Sequence, residues 1–194
     1  MNTLKAEKRS MDVKAKKLRR EGFVTGNLFG REIEGSIPLK FTKKEIEVLL
    51  KNNNKGSQVM LELDGKTYDA LIKEVDYNPL AHTVEEVDFQ ALVSNEMVHS
   101  VAEIILENEE MVVSGVLQDE LKEVAYKALP ADLVDKIKVD VAGMKIGDTL
   151  RVKDLEIAKN KNIHITTDPE AVVATVTPVH NVVPETETEA EETA

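Results

Sequence analysis

Apolar and polar residues alternate through much of this chain, the signature of strands buried on one face. In SQVMLELD, residues 57–64, Val59, Leu61 and Leu63 face one way while Met60, Glu62 and Asp64 face the other. Asp64-Gly65 follows, a pair suited to a tight hairpin because glycine supplies the positive φ that the turn requires. The return strand is KTYDALIKEVDY. Asn78-Pro79 closes it, since proline has no N–H for a ladder and restricts the residue before it. TVEEVDFQAL reads as a further strand. Helical spacing is rarer. Between Phe41 and Asn52, Thr42 is placed as an N-cap with Glu45 as its capping-box partner, and Ile46, Leu49 and Leu50 share one face. A short helix is also expected at Lys14–Glu21.

The alternation restarts in the second half. SVAEIILE, EVAYKAL, DKIKVDV and EAVVATVTP have strand composition, and Pro130, Gly143, Gly147 and Asp168-Pro169 punctuate them. The expected fold is mainly β with short helices. A boundary near Ser94 divides a β-domain over residues 1–93 from a β-rich domain over residues 94–181. Residues 182–194, which include PETETEAEETA, are expected to form a disordered acidic tail, too polar and self-repelling to offset the entropy of ordering.

Charge sharpens this division. The chain of 194 residues carries a formal net charge of −11. Residues 1–93 hold 16 basic and 15 acidic side chains, whereas the remainder holds 9 and 21. There is no cysteine, hence no disulfide and no thiolate metal site. The basic N-terminus is not followed by the apolar stretch of a secretory signal, and no run reaches the roughly 18 to 20 apolar residues of a membrane span. An intracellular protein without membrane association is expected.

Catalytic chemistry finds no support. The histidines, His82, His99, His164 and His180, are dispersed and make no metal-ligand spacing. His99 and Ser100 are adjacent, but neighbours on a strand point to opposite faces. Glu85-Glu86 and Glu109-Glu110 are read as solvated faces. Gly143-x-x-x-Gly147 lacks the Lys-Ser/Thr of a phosphate-binding loop and makes a turn. No catalytic residue, metal, cofactor or small-molecule substrate is assigned.

The basic arm stands out. From Lys5 to Arg20 eight Lys or Arg stand against only Glu7 and Asp12. Lys14, Lys16, Lys17, Arg19 and Arg20 can spread positive charge over one broad helical face, as a phosphate-binding surface requires. A charge run alone is more often a solvated helix, so its surroundings decide the reading.

Those surroundings are AEKR, KKLRREGFV followed by LFG, LIKEVDYNP and EEVDF in the first half. In the second half they are SGVLQDELKEVAYKALPADL, IKVDVAGMKIGDTLRVKDL and TTDPEAVVATVTP. In this order, over residues 3 to about 179, the chain resembles the bacterial large-subunit ribosomal protein twenty-five family. The match is to its long form, also described as the general stress protein Ctc. The resemblance implies a barrel-like N-terminal domain that binds 5S ribosomal RNA at its loop E, within cytoplasmic ribosomes. It places Arg9, Lys14, Lys16, Lys17, Arg19 and Arg20 along the RNA. Asp88 is placed as an acceptor for a ribose hydroxyl or base amino group, and Phe29 and Lys73 complete the set.

Three departures bear on that site. Thr25-Gly26 replaces the usual Pro-Ala or Pro-Gly before the hydrophobic turn, Asp76 stands where glutamine is common, and Glu86 stands where the family has histidine. Ionised carboxylates donate no hydrogen bond and repel phosphate. Replacing Glu86 by histidine is therefore expected to strengthen binding, unless a basic neighbour such as Lys73 pairs with it. The alternative is a stress-related, non-enzymatic paralogue that has lost RNA binding and acts through protein interaction.

Overall fold

The computed structural model describes residues 3–112 and 115–178; the tail expected over 182–194 lies outside them. Six strands close a barrel in the first half: β1 (Thr3–Lys8), β2 (Phe23–Phe29), β3 (Ser36–Thr42), β4 (Gln58–Leu63), β5 (Lys66–Asn78) and β6 (Thr83–Ala91). Their order is β1-β3-β2-β6-β5-β4, and β1 returns to β4 in parallel with Leu4 opposite Leu61. Closure leaves no unpaired sheet edge.

The local signals account for much of this. In β4, Val59, Leu61 and Leu63 are all buried. Asp64 and Gly65 take φ of 51° and 77°, as a two-residue hairpin turn of type I′ demands. Helix α2 (Lys43–Leu50) carries the expected capping box, with the Glu45 N–H donating to the Thr42 hydroxyl and the Thr42 N–H to the Glu45 carboxylate. Ile46 and Leu49 plug one end of the barrel. Phe41 and Phe89 meet inside with ring centres 5.4 Å apart and planes tilted by 56°, a favourable offset geometry. Helix α1 (Ala15–Arg20) is short and buries only Leu18.

The second half contains β7 (Val98–Glu107), β8 (Val116–Asp119), β9 (Glu123–Ala128), β10 (Lys136–Asp140), β11 (Thr149–Arg151), β12 (His164–Ile165) and β13 (Val172–Thr177). They form two sheets, β10-β7-β9-β12 and β11-β13-β8. Ala102, Ile104, Val124, Tyr126 and Ile137 of the first meet Val173 and Ala174 of the second in a core separate from that of the barrel. His99 is exposed and Ser100 buried, so the two do face apart. Polar groups of the two halves meet at their junction. Lys55 lies 3.6 Å from Glu123, and the Ser57 hydroxyl donates to Asp135 over 3.4 Å.

Tyr126 anchors the second core. Its buried hydroxyl donates to the Val134 carbonyl at 2.7 Å and accepts from the Val134 N–H at 2.8 Å. Phenylalanine would keep the ring but strand both backbone groups, at a cost of about 2 kcal/mol. We propose that residues 1–93 and 94–181 unfold as separate units. Calorimetry of Tyr126→Phe should then show one of two transitions lowered and the other in place. A single transition, or two that shift together, refutes the division.

Candidate nucleic-acid interface

The α1 sequence AKKLRR needs one apolar anchor, Leu18, which leaves its other positions available for charge. Lys14 at its N-cap and Lys16, Lys17 and Arg20 within it are all exposed. Basic residues in its last turn also suit the partial negative charge of a helix C-terminus. Beside the helix lies a cavity of about 410 Å³ lined by Lys16, Arg19, Arg20, Phe23, Lys43 and Glu85, among others. The Lys43 N–H donates to the Gly22 carbonyl at 3.1 Å, which brings the start of α2 against the end of α1. The Lys40 ammonium stands 5.2 Å from the centre of the Phe23 ring, within cation–π range. Phe23, Lys40 and Lys43 were not singled out by the sequence reading. Only Phe23, directly after the basic segment in GFV, carried a local signal.

Arg19 differs from its neighbours on the helix. Its Nε donates to the Glu85 carbonyl at 3.1 Å, Nη1 lies 3.0 Å from the Glu85 carboxylate, and Nη2 lies 3.0 Å from that of Glu86. The Thr25 hydroxyl donates to the same Glu85 carbonyl at 3.3 Å. Asn27 extends the network, its Nδ2 donating to Glu86 at 3.3 Å and to Asp88 at 3.0 Å, while its N–H donates to Asp88 at 2.9 Å. Arg19 and Thr25 on one side and Glu86 and Asp88, distant from them in sequence, on the other thus meet in one cluster.

Glu86 does have a basic partner, but it is Arg19 and not Lys73, so replacing it would release the Arg19 guanidinium and not merely remove a bare carboxylate. Parallel pairing of β2 with β6 sets Glu86 opposite Thr25, on the α1 side. The β5 ladder shifts register between Ile72 and Glu74, and the Lys73 ammonium instead donates to the His99 carbonyl at 2.8 Å, at the junction with the second half. Arg9 is also committed internally. Its Nη2 donates to the Val13 carbonyl at 3.2 Å and its N–H to the Pro38 carbonyl at 2.9 Å, tying down the turn that enters α1. Its Nε is buried without a partner among the described residues. Phe29 is half-buried near the end of β2, between Ser36 and Gln90 on the flanking strands.

Next to the cluster lies an acidic patch. Exposed Asp76 sits across from Glu86, and exposed Glu74 across from Asp88. Like charges directly opposite on paired strands are unfavourable. Among the described residues no group of three or more His, Asp or Glu could hold a metal ion. No described helix is long and apolar enough to cross a membrane.

The profile of the Ribosomal L25p family matches residues 4–89, nearly the whole barrel. That of the C-terminal domain of ribosomal protein TL5 matches residues 97–180. The large ribosomal subunit protein bL25 of Carboxydothermus hydrogenoformans is 32% identical over 190 residues, spanning 93% of this chain and 94% of that protein. The bL25 protein of Bacillus velezensis is 31% identical over 92% of this chain and 89% of its own length. The chain belongs to the bL25 family. It is therefore a non-enzymatic, structural type of protein. The two family matches leave residues 90–96 between them, at the end of β6 and before β7.

Proposed function

We propose that the protein is a constituent of the large ribosomal subunit in the cytoplasm, and that its barrel binds 5S ribosomal RNA along α1. The relatives named large ribosomal subunit protein bL25 support the first statement. The second rests on the exposed cations of α1 beside the cavity that holds Phe23 and Lys43. Helical RNA offers phosphates and a wide, shallow minor groove with ribose hydroxyls. Lys14, Lys16, Lys17 and Arg20 can meet the phosphates. Asp88 takes both Asn27 bonds on Oδ1, which leaves Oδ2 to accept from a ribose hydroxyl or base amino group.

Titration with 5S RNA at fixed salt tests the reading. Glu86→Gln in the same titration should bind about tenfold more tightly, roughly 1.4 kcal/mol. The neutral amide ceases to compete with phosphate for the Arg19 Nη2, while Glu85 still holds the guanidinium in place. Absence of binding by both chains would refute the RNA contact.

A second reading, a stress-related paralogue acting through protein interaction, draws on the four carboxylates of Glu74, Asp76, Glu86 and Asp88, which repel phosphate. Co-sedimentation separates the two. Recovery with washed large subunits supports the ribosomal role, and absence from them favours the alternative.

A further inference from the structure

The junction between the two halves gathers positive charge that the α1 surface does not account for. Cross-strand pairing puts His99 of β7 opposite Lys127 of β9, and Lys127 opposite His164 of β12. Residues directly opposite one another share a sheet face, and His99 is exposed on it while Ser100 turns inward. With strands spaced by about 4.8 Å, this row of His99, Lys127 and His164 spans about 10 Å. Lys73 reaches its near end from the barrel, with Nζ 2.8 Å from the His99 carbonyl. Next to it opens a cavity of about 310 Å³ whose lining includes Lys55, Lys73, Glu74, His99 and Ser100.

Several carboxylates of the junction are engaged by other groups, Glu103 by the Asn54 amide and Asp135 by the Ser57 hydroxyl. Lys55 has Glu123 at 3.6 Å. Among the described residues, neither Lys73 nor Lys127 has a carboxylate within 4.0 Å. Glu74 lines the cavity without pairing. The His99 carbonyl satisfies one of the three donors of the Lys73 ammonium, leaving two.

The crowding is felt by the groups themselves. Burial, then the nearby Lys55, pushes the Lys73 ammonium below its ordinary pKa, against a smaller pull from Glu74. Desolvation, then Lys127 and Lys73, pushes the His99 imidazole down. Unneutralised cations in a partly desolvated cleft are an arrangement that an anion relieves.

We propose that this junction is an oxyanion site that takes a phosphate group, held by Lys55, Lys73 and Lys127 with His99 and His164 beside them. The phosphate belongs either to an RNA backbone or to a free phosphate compound. The site is separate from α1 and does not rest on RNA binding there.

Imidazole NMR signals of the full chain distinguish the sources, with inorganic pyrophosphate in one arm and 5S RNA in the other. The His99 and His164 signals should move with at least one probe. That binding should weaken at least fivefold in Lys73→Ala/Lys127→Ala, but not in Lys66→Ala/Lys161→Ala, which removes two exposed lysines at the far end of β5 and in the turn before β12. A response to pyrophosphate alone identifies a free phosphate compound, and a response to RNA alone identifies the backbone. If α1 fails to bind RNA, the pyrophosphate arm still reports on the junction. Silence of both histidines with both probes, or wild-type binding by Lys73→Ala/Lys127→Ala, overturns the site.

Discussion

Gly26→Ala is expected to destabilise the barrel by about 3 kcal/mol, the upper end of ordinary overpacking costs, and to leave the C-terminal transition in place. A Cβ at this position would fall on the Val87 carbonyl oxygen, with the Val87 carbonyl carbon at 3.1 Å and the Phe41 ring at 3.3 Å. Val87 and Phe41 are both buried, so neither has free space to move into. Gly26 lies where β2 runs alongside β6 in parallel, between the pairs Thr25 with Glu86 and Leu28 with Phe89. Only the missing side chain lets the two backbones approach so closely. Parting them would also draw Glu86 from Arg19 and Asp88 from Asn27, so the cluster beside α1 should loosen together with the core. Calorimetry of the variant against the wild type checks this. An unchanged barrel transition would show that β6 yields at little cost.

What could be read in the sequence was what is local. The period of two in β4, the Asp64-Gly65 turn and the Thr42 capping box each depend on neighbours a few residues away, whereas in β5 Ala70, Leu71 and Ile72 are buried in succession and break the alternation. Strand β1 offered only Leu4 and Ala6, and its place comes from pairing with β4 more than fifty residues later. In β3, Pro38 argues against a strand, yet it takes its place opposite Asn27 and accepts from Arg9 through its carbonyl. Strands β8, β11 and β12 have four, three and two residues, too short to display a period. The same limit applied to the site. The sequence displayed the cations of the basic arm but not which of them the fold had already engaged. Arg19 meets Glu86 across 67 positions, and only the parallel pairing of β2 with β6 makes them neighbours. The resemblance places Lys73 along the RNA, and no local pattern reveals that its ammonium donates to the His99 carbonyl next to a register shift.

That distinction selects the test of the RNA contact. Lys16→Glu together with Arg20→Glu is expected to weaken 5S RNA binding about a hundredfold, roughly 2.7 kcal/mol. The slope of log affinity against log salt should fall by about 2, because two cations no longer release counterions from the RNA. Both residues are exposed, both line the cavity beside α1, and neither has a carboxylate within 4.0 Å among the described residues. Leu18 and the Arg19 pairs with Glu85 and Glu86 remain to hold the helix. The barrel transition should therefore stay where it is, and weaker binding would report lost contacts. Reversal at Arg9 or Arg19 could not be read so simply. The first would cut the bond to Val13, and the second would set a third carboxylate directly against those of Glu85 and Glu86. Damage to the fold would then pass for loss of an RNA contact. An unchanged affinity and salt slope in the Lys16 and Arg20 variant would end the case for α1 as the RNA surface. The acidic patch of Glu74, Asp76, Glu86 and Asp88 would then be the better guide to what this face of the barrel meets.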